Sequence, residues 1–184
     1  MVYVFLADGI SETEAVAAIE CLRRAGLTVQ AVGVTGTTVT SARGIKLLAD
    51  IPLEDVPDGP HELLVLPGGY LGAKNLAASE RVMALVRSAV ESNAPVGAIC
   101  AAPAMLAKLG LLRGRTITCY PTEAENARQG GAYVLDRPWV REGNLLTGQG
   151  PGSSFAFGIA LVALLLGEEK ADWLAEQMLV SWRA

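Results

Sequence analysis

Apolar residues in this chain fall into short continuous runs separated by longer segments of mixed pattern, and that alternation sets the fold class. Val2–Leu6 is an unbroken apolar run, as expected of a strand buried on both faces. It stops at Ala7-Asp8-Gly9. A helix is expected from about Glu12 to Ala25, with Ala15, Val16, Ile19 and Leu22 as its apolar stripe and Gly26 as its stop. Thr28–Val34 reads as a second strand, Thr37–Asp50 as a small antiparallel excursion, and Pro52–Val56 as a short turn or helix. Leu63–Leu66 is another buried strand, broken by Pro67-Gly68-Gly69 and followed by a helix from about Glu80 to Ser92. Val96–Ile99 is so short and small-residued that it belongs in the middle of a sheet. It leads through Cys100 into a helical segment, Ala101–Leu109, with Pro103 in the first turn, where its missing N–H costs nothing.

The second half continues the pattern with weaker signals. Thr116–Cys119 reads as a strand turned outward by Tyr120-Pro121, strand-like pieces surround Trp139, and Asn144–Thr147 ends at the sheet. Gly148-Gln149-Gly150-Pro151-Gly152 is the most loop-like stretch, after which Ser153 is placed to cap an apolar helix over Phe155–Leu166. An amphipathic helix from about Lys170 to Val180 closes the chain. Strands alternating with helices predict an α/β fold with a mostly parallel central sheet, and 184 residues fit one domain, 1–184.

Composition narrows the function. The net charge is -4, and no Lys/Arg cluster goes beyond Arg23-Arg24, so no nucleic-acid partner is expected. Phe155–Leu166 falls short of the roughly 20 residues of a spanning helix, so it reads as a core helix and no membrane partner is expected. Val2–Leu6 follows without a basic leader or small-residue cleavage site, and the expected location is cytoplasmic. The three cysteines, Cys21, Cys100 and Cys119, are odd in number and widely spaced, which argues against a disulfide scaffold and a structural zinc site. With no Walker loop, no Gly-x-Gly-x-x-Gly and no clustered ligands, neither a metal nor an organic cofactor is expected.

The strongest chemical signal is Val96-Gly97-Ala98-Ile99-Cys100-Ala101-Ala102-Pro103. A nucleophile elbow puts its reactive residue on a sharp strand-to-helix turn and needs small residues two positions to either side, here Ala98 and Ala102. The sulfur would then sit at a helix N-terminus, where free N–H groups favour the thiolate. Taken alone, the segment suits either a nucleophile or one more buried small residue. Pro67-Gly68-Gly69 ends a neighbouring strand at the same edge, so the backbone N–H groups of Gly69 and Ala101 would converge as an oxyanion hole.

A partner for the cysteine must come from elsewhere. The single histidine, His61, precedes the Leu63–Leu66 strand and lies at the opposite end of the sheet, roughly 15–20 Å away by strand length, so no Cys–His dyad forms within one subunit. Glu12 and Glu14 follow the first strand at the correct end, and either could simply complement the helix dipole. A glutamate buried beside a thiol would have its pKa raised and could hold or move a proton.

Four ordered motifs, Ala7-Asp8-Gly9 with Glu12-Thr13-Glu14, Leu66-Pro67-Gly68-Gly69, Ala98-Ile99-Cys100-Ala101-Ala102-Pro103 and Gly148-Gln149-Gly150-Pro151-Gly152-Ser153, resemble the ThiJ/PfpI superfamily, most closely its DJ-one/ThiJ (YajL-like) branch. The resemblance spans roughly Val2 to Leu179. It implies a flavodoxin-like three-layer α/β/α sandwich, a homodimer, and a cysteine whose sulfur meets a protonated glutamate, by position Cys100 and Glu14. Gly69 and Ala101 would be the backbone donors, Gly68, Tyr120 and Pro151 would line the pocket, and Arg24 and Arg43 would lie near the dimer interface. The activity implied is that of a cofactor-independent glyoxalase or deglycase acting on methylglyoxal, glyoxal or their early glycation adducts. The alternative is a redox sensor and holdase chaperone whose cysteine is oxidised to a sulfinate; a peptidase would need a histidine from another subunit. One position departs from the pattern: Tyr120 stands where several members have a histidine, which leaves Glu14 to do the acid–base work alone.

Overall fold

The computed structural model describes residues 1–183. Its centre is a seven-stranded sheet built from β1 (Val2–Leu6), β2 (Val29–Gly33), β5 (Ile51–Pro52), β6 (Leu63–Leu66), β7 (Val96–Ile99), β10 (Trp139–Glu142) and β11 (Leu145–Gly148). The strand order is β10-β11-β7-β6-β1-β2-β5, parallel throughout except for β10 against β11. The strands of the middle are buried on both faces, so β1 and β6 are continuous apolar runs rather than alternating ones. β3 (Thr38–Thr40) and β4 (Lys46–Leu48) form the expected antiparallel hairpin outside the main sheet.

Two groups of helices cover the sheet. α1 (Glu12–Arg24), α6 (Ser154–Leu166) and α7 (Glu168–Met178) pack on one another, while α2 (Tyr70–Ala78), α3 (Glu80–Glu91), α4 (Ala101–Lys108) and α5 (Ala124–Gln129) form the other group. This is the α/β/α sandwich of the flavodoxin-like class. α6 is nearly all apolar because it is enclosed: Phe157, Ile159, Leu161 and Val162 are fully buried, each worth roughly 1.5–3 kcal/mol. Its close approach requires small residues opposite. A Cβ at Gly97 in β7 would lie 2.7 Å from Leu161, and one at Gly158 would lie 2.7 Å from the Cys21 sulfur on α1.

That seam corrects the expected stripe of α1. Ala15, Ala18, Cys21 and Leu22 are buried, whereas Val16 is 48% exposed and Ile19 is half-buried. Helices in tight contact select small side chains at the contact, and a pattern read for bulk places the buried face too far round the helix. Other local readings also shift. Thr116–Cys119 is not a strand of the main sheet: only Thr116–Ile117 is extended, as β8, paired in parallel with β9 (Tyr133–Val134). Ser153 does not cap α6 with its side chain, which bonds back to Gly150 while the Ser154 hydroxyl donates to the Pro151 carbonyl. β5 and α2 are elements without a clear sequence signal, β5 because it is a two-residue edge strand containing Pro52.

The described chain closes with a tail that folds back. Trp182 is buried, stacks on Trp139 with ring centroids 5.8 Å apart, and donates its indole N–H to Asp172.

Candidate active site

Strand order determines where the site lies. From β1 the chain moves one way to β2 and later the other way to β6 and β7, so the reversal falls between β1 and β6. In an open parallel sheet the crevice beyond the carboxyl ends at such a reversal is where ligands bind. The register brings Leu66 of β6 beside Ala98 of β7, so Gly68 and Cys100 emerge as neighbours. On the β1 side, the Ser11 N–H donates to the Gly68 carbonyl at 2.9 Å, fixing the start of α1 against the same edge.

Cys100 joins β7 to α4 with φ 65° and ψ -113°. A side chain other than glycine held at positive φ costs on the order of 1–3 kcal/mol, and the surroundings supply the constraint. The Cys100 N–H donates to the Gly148 carbonyl at 2.9 Å, and its carbonyl accepts from the Tyr120 N–H at 2.8 Å. With both peptide groups held by different segments, the sulfur is left at the N-terminus of α4. There the backbone N–H groups of Gly69 and Ala101 lie near enough to favour its charged form.

Glu14, in the first turn of α1, is completely buried. Its Oε2 accepts from the Gly68 N–H at 2.8 Å, the Cys100 side chain lies beside the same carboxyl, and Oε1 has no hydrogen-bond partner. Burial pushes the carboxyl up from 4.5 to about 7, against the pull of the thiol and the Gly68 N–H, with the nearby Glu12 adding to the rise. Glycine is required at position 68: a Cβ there would lie 2.6 Å from Glu14 Oε2 and 2.8 Å from the Ile99 carbonyl, and closer still to the Cys100 Cβ. Gly69 adopts φ 82°, and a Cβ on it would meet the Ser11 nitrogen at 2.6 Å.

Burial opposes the thiolate that the helix N-terminus favours. The Cys100 thiol is pushed up to about 12, first by desolvation and then by the Glu14 charge, and the Gly69 and Ala101 N–H groups lower it by less. Glu14 is therefore the member of the pair that exchanges its proton near neutrality, and a sulfur that gives up its proton has a base beside it. Cys119 and Cys21 are also buried, with thiols raised to about 11 and about 12, mainly by desolvation.

The remaining sequence candidates separate. Tyr120 is half-exposed, its ring lies over Gly150, and with Pro151 it lines an open cleft of about 380 Å³. Arg24 pairs with Glu20 at 2.5 Å and borders a different cleft with Phe155 and Met178. Arg43 is at the tip of the β3–β4 hairpin, where its guanidinium donates to the Ala42 carbonyl at 3.3 Å. Neither arginine joins Cys100 within this chain. His61 precedes β6 at the far end of the sheet, half-buried and edge-on to Tyr3 with centroids 5.1 Å apart. Sequence reasoning missed Gly148, whose carbonyl braces the elbow, and Pro121, Pro138 and Gln149, which complete the cleft. The first acts through its backbone, which no residue type signals. Among the described residues no group of three or more His, Cys, Asp or Glu is placed to hold a metal, and no helix is long and apolar enough to cross a membrane.

A strained cysteine elbow at the sheet reversal, with a buried glutamate against its sulfur, defines a class of cysteine-centred flavodoxin-like proteins. The chain belongs to the DJ-1/PfpI family, whose pattern matches residues 1–164. It is 36% identical over 180 residues to protein dj-1beta of Drosophila melanogaster, covering 97% of this chain and 96% of the relative. The crystal structure of that protein superposes with a TM-score of 0.93 over 98% of this chain and 97% of the other, at 35% identity. A Caenorhabditis elegans relative named glutathione-independent glyoxalase DJR-1.2 is 31% identical over 171 residues, covering 93% of this chain and 91% of its own. A structure described as Toxoplasma gondii DJ-1, oxidized, matches with a TM-score of 0.91 at 29% identity, covering 98% of each chain.

Proposed function

We propose that the protein is a cofactor-independent glyoxalase for small α-oxoaldehydes such as methylglyoxal and glyoxal, with Cys100 as nucleophile and Glu14 as the acid–base group. The observation that carries this reading is the Glu14 carboxyl, completely buried, raised to about 7 and placed beside the Cys100 thiol. A base poised near the working pH and in contact with the nucleophile is the arrangement general-base catalysis needs. The glyoxalase name carried by the worm relative supports the same assignment.

The steps balance as follows. Ionised Glu14 takes the thiol proton as Cys100 Sγ bonds to the aldehyde carbon, then passes it to the carbonyl oxygen, held by the Gly69 and Ala101 N–H groups, giving a hemithioacetal and an ionised Glu14. Glu14 then removes the hydrogen from that carbon, forming an enediolate, and returns a proton to the adjacent carbon, while the hydroxyl proton on the first carbon passes to the oxygen of the second. The product is a thioester of the hydroxy acid. Water cleaves it, restoring the thiol and releasing lactate from methylglyoxal; no net oxidation or reduction occurs. A deglycase would run the first of these steps on an early glycation adduct.

The chain is proposed to act as a homodimer in the cytoplasm. Support for the dimer comes from the face shared by α1, α6 and the segment after α7: Val16 and Phe155 are about half-exposed, Leu179 is 93% exposed, and Arg24 borders the groove beside Phe155.

A redox-sensor reading is favoured by the same donors. Protonated Glu14 and the Gly69 and Ala101 N–H groups would hold the oxygens of a Cys100 sulfinate, and the parasite relative is described in an oxidised form. The experiment that separates the two follows methylglyoxal consumption and lactate independently for wild type and Cys100→Ser. Lactate from wild type alone supports the enzyme. No lactate above the mutant, with two oxygens gained at Cys100 on peroxide treatment, supports the sensor.

A further inference from the structure

Residues 116–120 run beside the main sheet without joining it, and the way they are held there bears on Cys100. Their backbone groups alternate in direction, as in any extended segment. The carbonyls of Arg115 and Ile117 accept from the N–H groups of Tyr133 and Leu135 at 2.8 and 2.9 Å, on the β9 side. The N–H groups of Thr116, Thr118 and Tyr120 face the main sheet instead, and each finds a different acceptor. These are Glu142 Oε2 in β10 at 2.6 Å, Thr147 Oγ1 in β11 at 2.9 Å, and the Cys100 carbonyl at 2.8 Å. Two side chains therefore set the register in which the third N–H meets the elbow.

Thr147 is the central member of this row. It is completely buried, as is Thr118. Its hydroxyl accepts from the Thr118 N–H and donates to the Val140 carbonyl at 3.3 Å, so one oxygen ties the segment to both β11 and β10. The residue after Thr147 is Gly148, whose carbonyl accepts from the Cys100 N–H. Both braces on the Cys100 peptide groups thus lead back to Thr147, one through Gly148 and the other through Thr118 and Tyr120. A cysteine at φ 65° persists only while its surroundings fix it. Without the Tyr120 brace the backbone is free to relax, and a relaxed elbow carries the Cys100 side chain away from Gly68 and Glu14.

We infer that Thr147 is a positioning residue for Cys100: through Thr118 its hydroxyl places the Tyr120 N–H on the Cys100 carbonyl and so keeps the sulfur beside Glu14. The inference rests on the reading of Cys100 and Glu14 as a working pair and adds to it a residue that acts through the backbone alone. Thr147→Val preserves the shape of the side chain and leaves the buried Thr118 N–H without its acceptor. Thr147→Ser preserves the hydroxyl and loses a methyl group. A role in packing alone makes Thr147→Ser the more damaging change, whereas a role in positioning makes Thr147→Val the more damaging one.

The test compares wild type, Thr147→Val and Thr147→Ser by three readouts. Amide hydrogen exchange, followed by NMR, should accelerate at Thr118 and Tyr120 in Thr147→Val and keep wild-type rates in Thr147→Ser. Methylglyoxal turnover in Thr147→Val should fall in kcat by about 10–100-fold with KM little changed, since displacing a reacting group by about 1 Å costs up to about a hundredfold. Alkylation of Cys100 by iodoacetamide, read by peptide mass, should rise through a step near pH 7 in wild type and Thr147→Ser, where Glu14 ionises, and lose that step in Thr147→Val. A kcat and alkylation profile within about twofold of wild type in Thr147→Val, or equal damage by Thr147→Ser, overturns the inference. An alkylation step lost in Thr147→Val alone, with no lactate from wild type, upholds the positioning role and sinks the glyoxalase reading. Lactate formed equally by wild type and Thr147→Val, with the step intact, does the reverse. Where Thr147→Val does not fold, Glu142→Ala takes its place, because that side chain is 33% exposed and its loss frees the Thr116 N–H at the outer end of the same row. Faster exchange at Thr118 and Tyr120 with a weakened alkylation step is then expected, and no change in either overturns the inference.

Discussion

Replacing Glu14 with glutamine should separate stability from activity in a pH-dependent way. A carboxyl whose pKa is raised on folding keeps its proton in the native state at pH values where the unfolded chain has released it. The native state therefore loses stability as the pH climbs from 4.5 to about 7. A rise of that size corresponds to about 3 kcal/mol, complete above the folded pKa. Glutamine has no such dependence. It keeps an acceptor for the Gly68 N–H but places an amide N–H₂ against sulfur, at a cost of about 1–2 kcal/mol that is the same at every pH. Comparing urea unfolding of the two proteins at about pH 5 and pH 8 cancels that cost and isolates the carboxyl. Wild type should lose about 2–3 kcal/mol relative to Glu14→Gln over the interval, and the variant should show no oxoaldehyde turnover. Parallel pH dependences, within about 0.5 kcal/mol, would refute the claim that burial holds this carboxyl near 7.

Other perturbations probe the scaffold. Gly68→Ala should lose about 1–3 kcal/mol, because the methyl group meets the Ile99 carbonyl and Glu14 rather than a flexible side chain, and should cut turnover by about 100-fold through displacement of the Cys100–Glu14 contact; chemical denaturation and initial rates measure both. His61→Ala should leave Cys100 alkylation and turnover unchanged at neutral pH, since the imidazole packs on Tyr3 at the far end of the sheet; a large fall in either would place a histidine in the chemistry after all. Trp182→Ala should cost about 3 kcal/mol by removing a buried ring and its stack on Trp139, read as a lower denaturation midpoint with Cys100 reactivity preserved.

The amino-acid pattern made the buried architecture legible and the close contacts illegible. Val2–Leu6, Leu63–Leu66 and Val96–Ile99 read as strands because burial on both faces demands continuous apolar residues, and each is a strand of the central sheet. The elbow was visible in the small residues around Cys100 because its sharp turn excludes larger ones. Glu14 could be named as a candidate, whereas its burial depends on α1 packing against strands far away in sequence. For the same reason desolvation of the Cys100 thiol, which opposes the helix N-terminus, cannot be read from local helix geometry. α1 was rotated in the reading because Cys21 faces Gly158 across a helix contact that no periodicity within one helix records. α2 escaped notice because Tyr70–Ala78 starts at a glycine in an unusual conformation, has no polar cap and buries only Gly72, Ala73 and Leu76.

The most direct test of a Cys100–Glu14 acid–base pair is methylglyoxal turnover in deuterium oxide, followed by proton NMR for wild type, Cys100→Ser and Glu14→Gln. A carboxyl that removes the hydrogen from one carbon and returns a proton to the next exchanges with solvent between the two steps, so wild type should form lactate carrying deuterium on its second carbon, and neither variant should form lactate. Lactate from either variant at the wild-type rate, or product from wild type with no deuterium at that carbon, would contradict the mechanism.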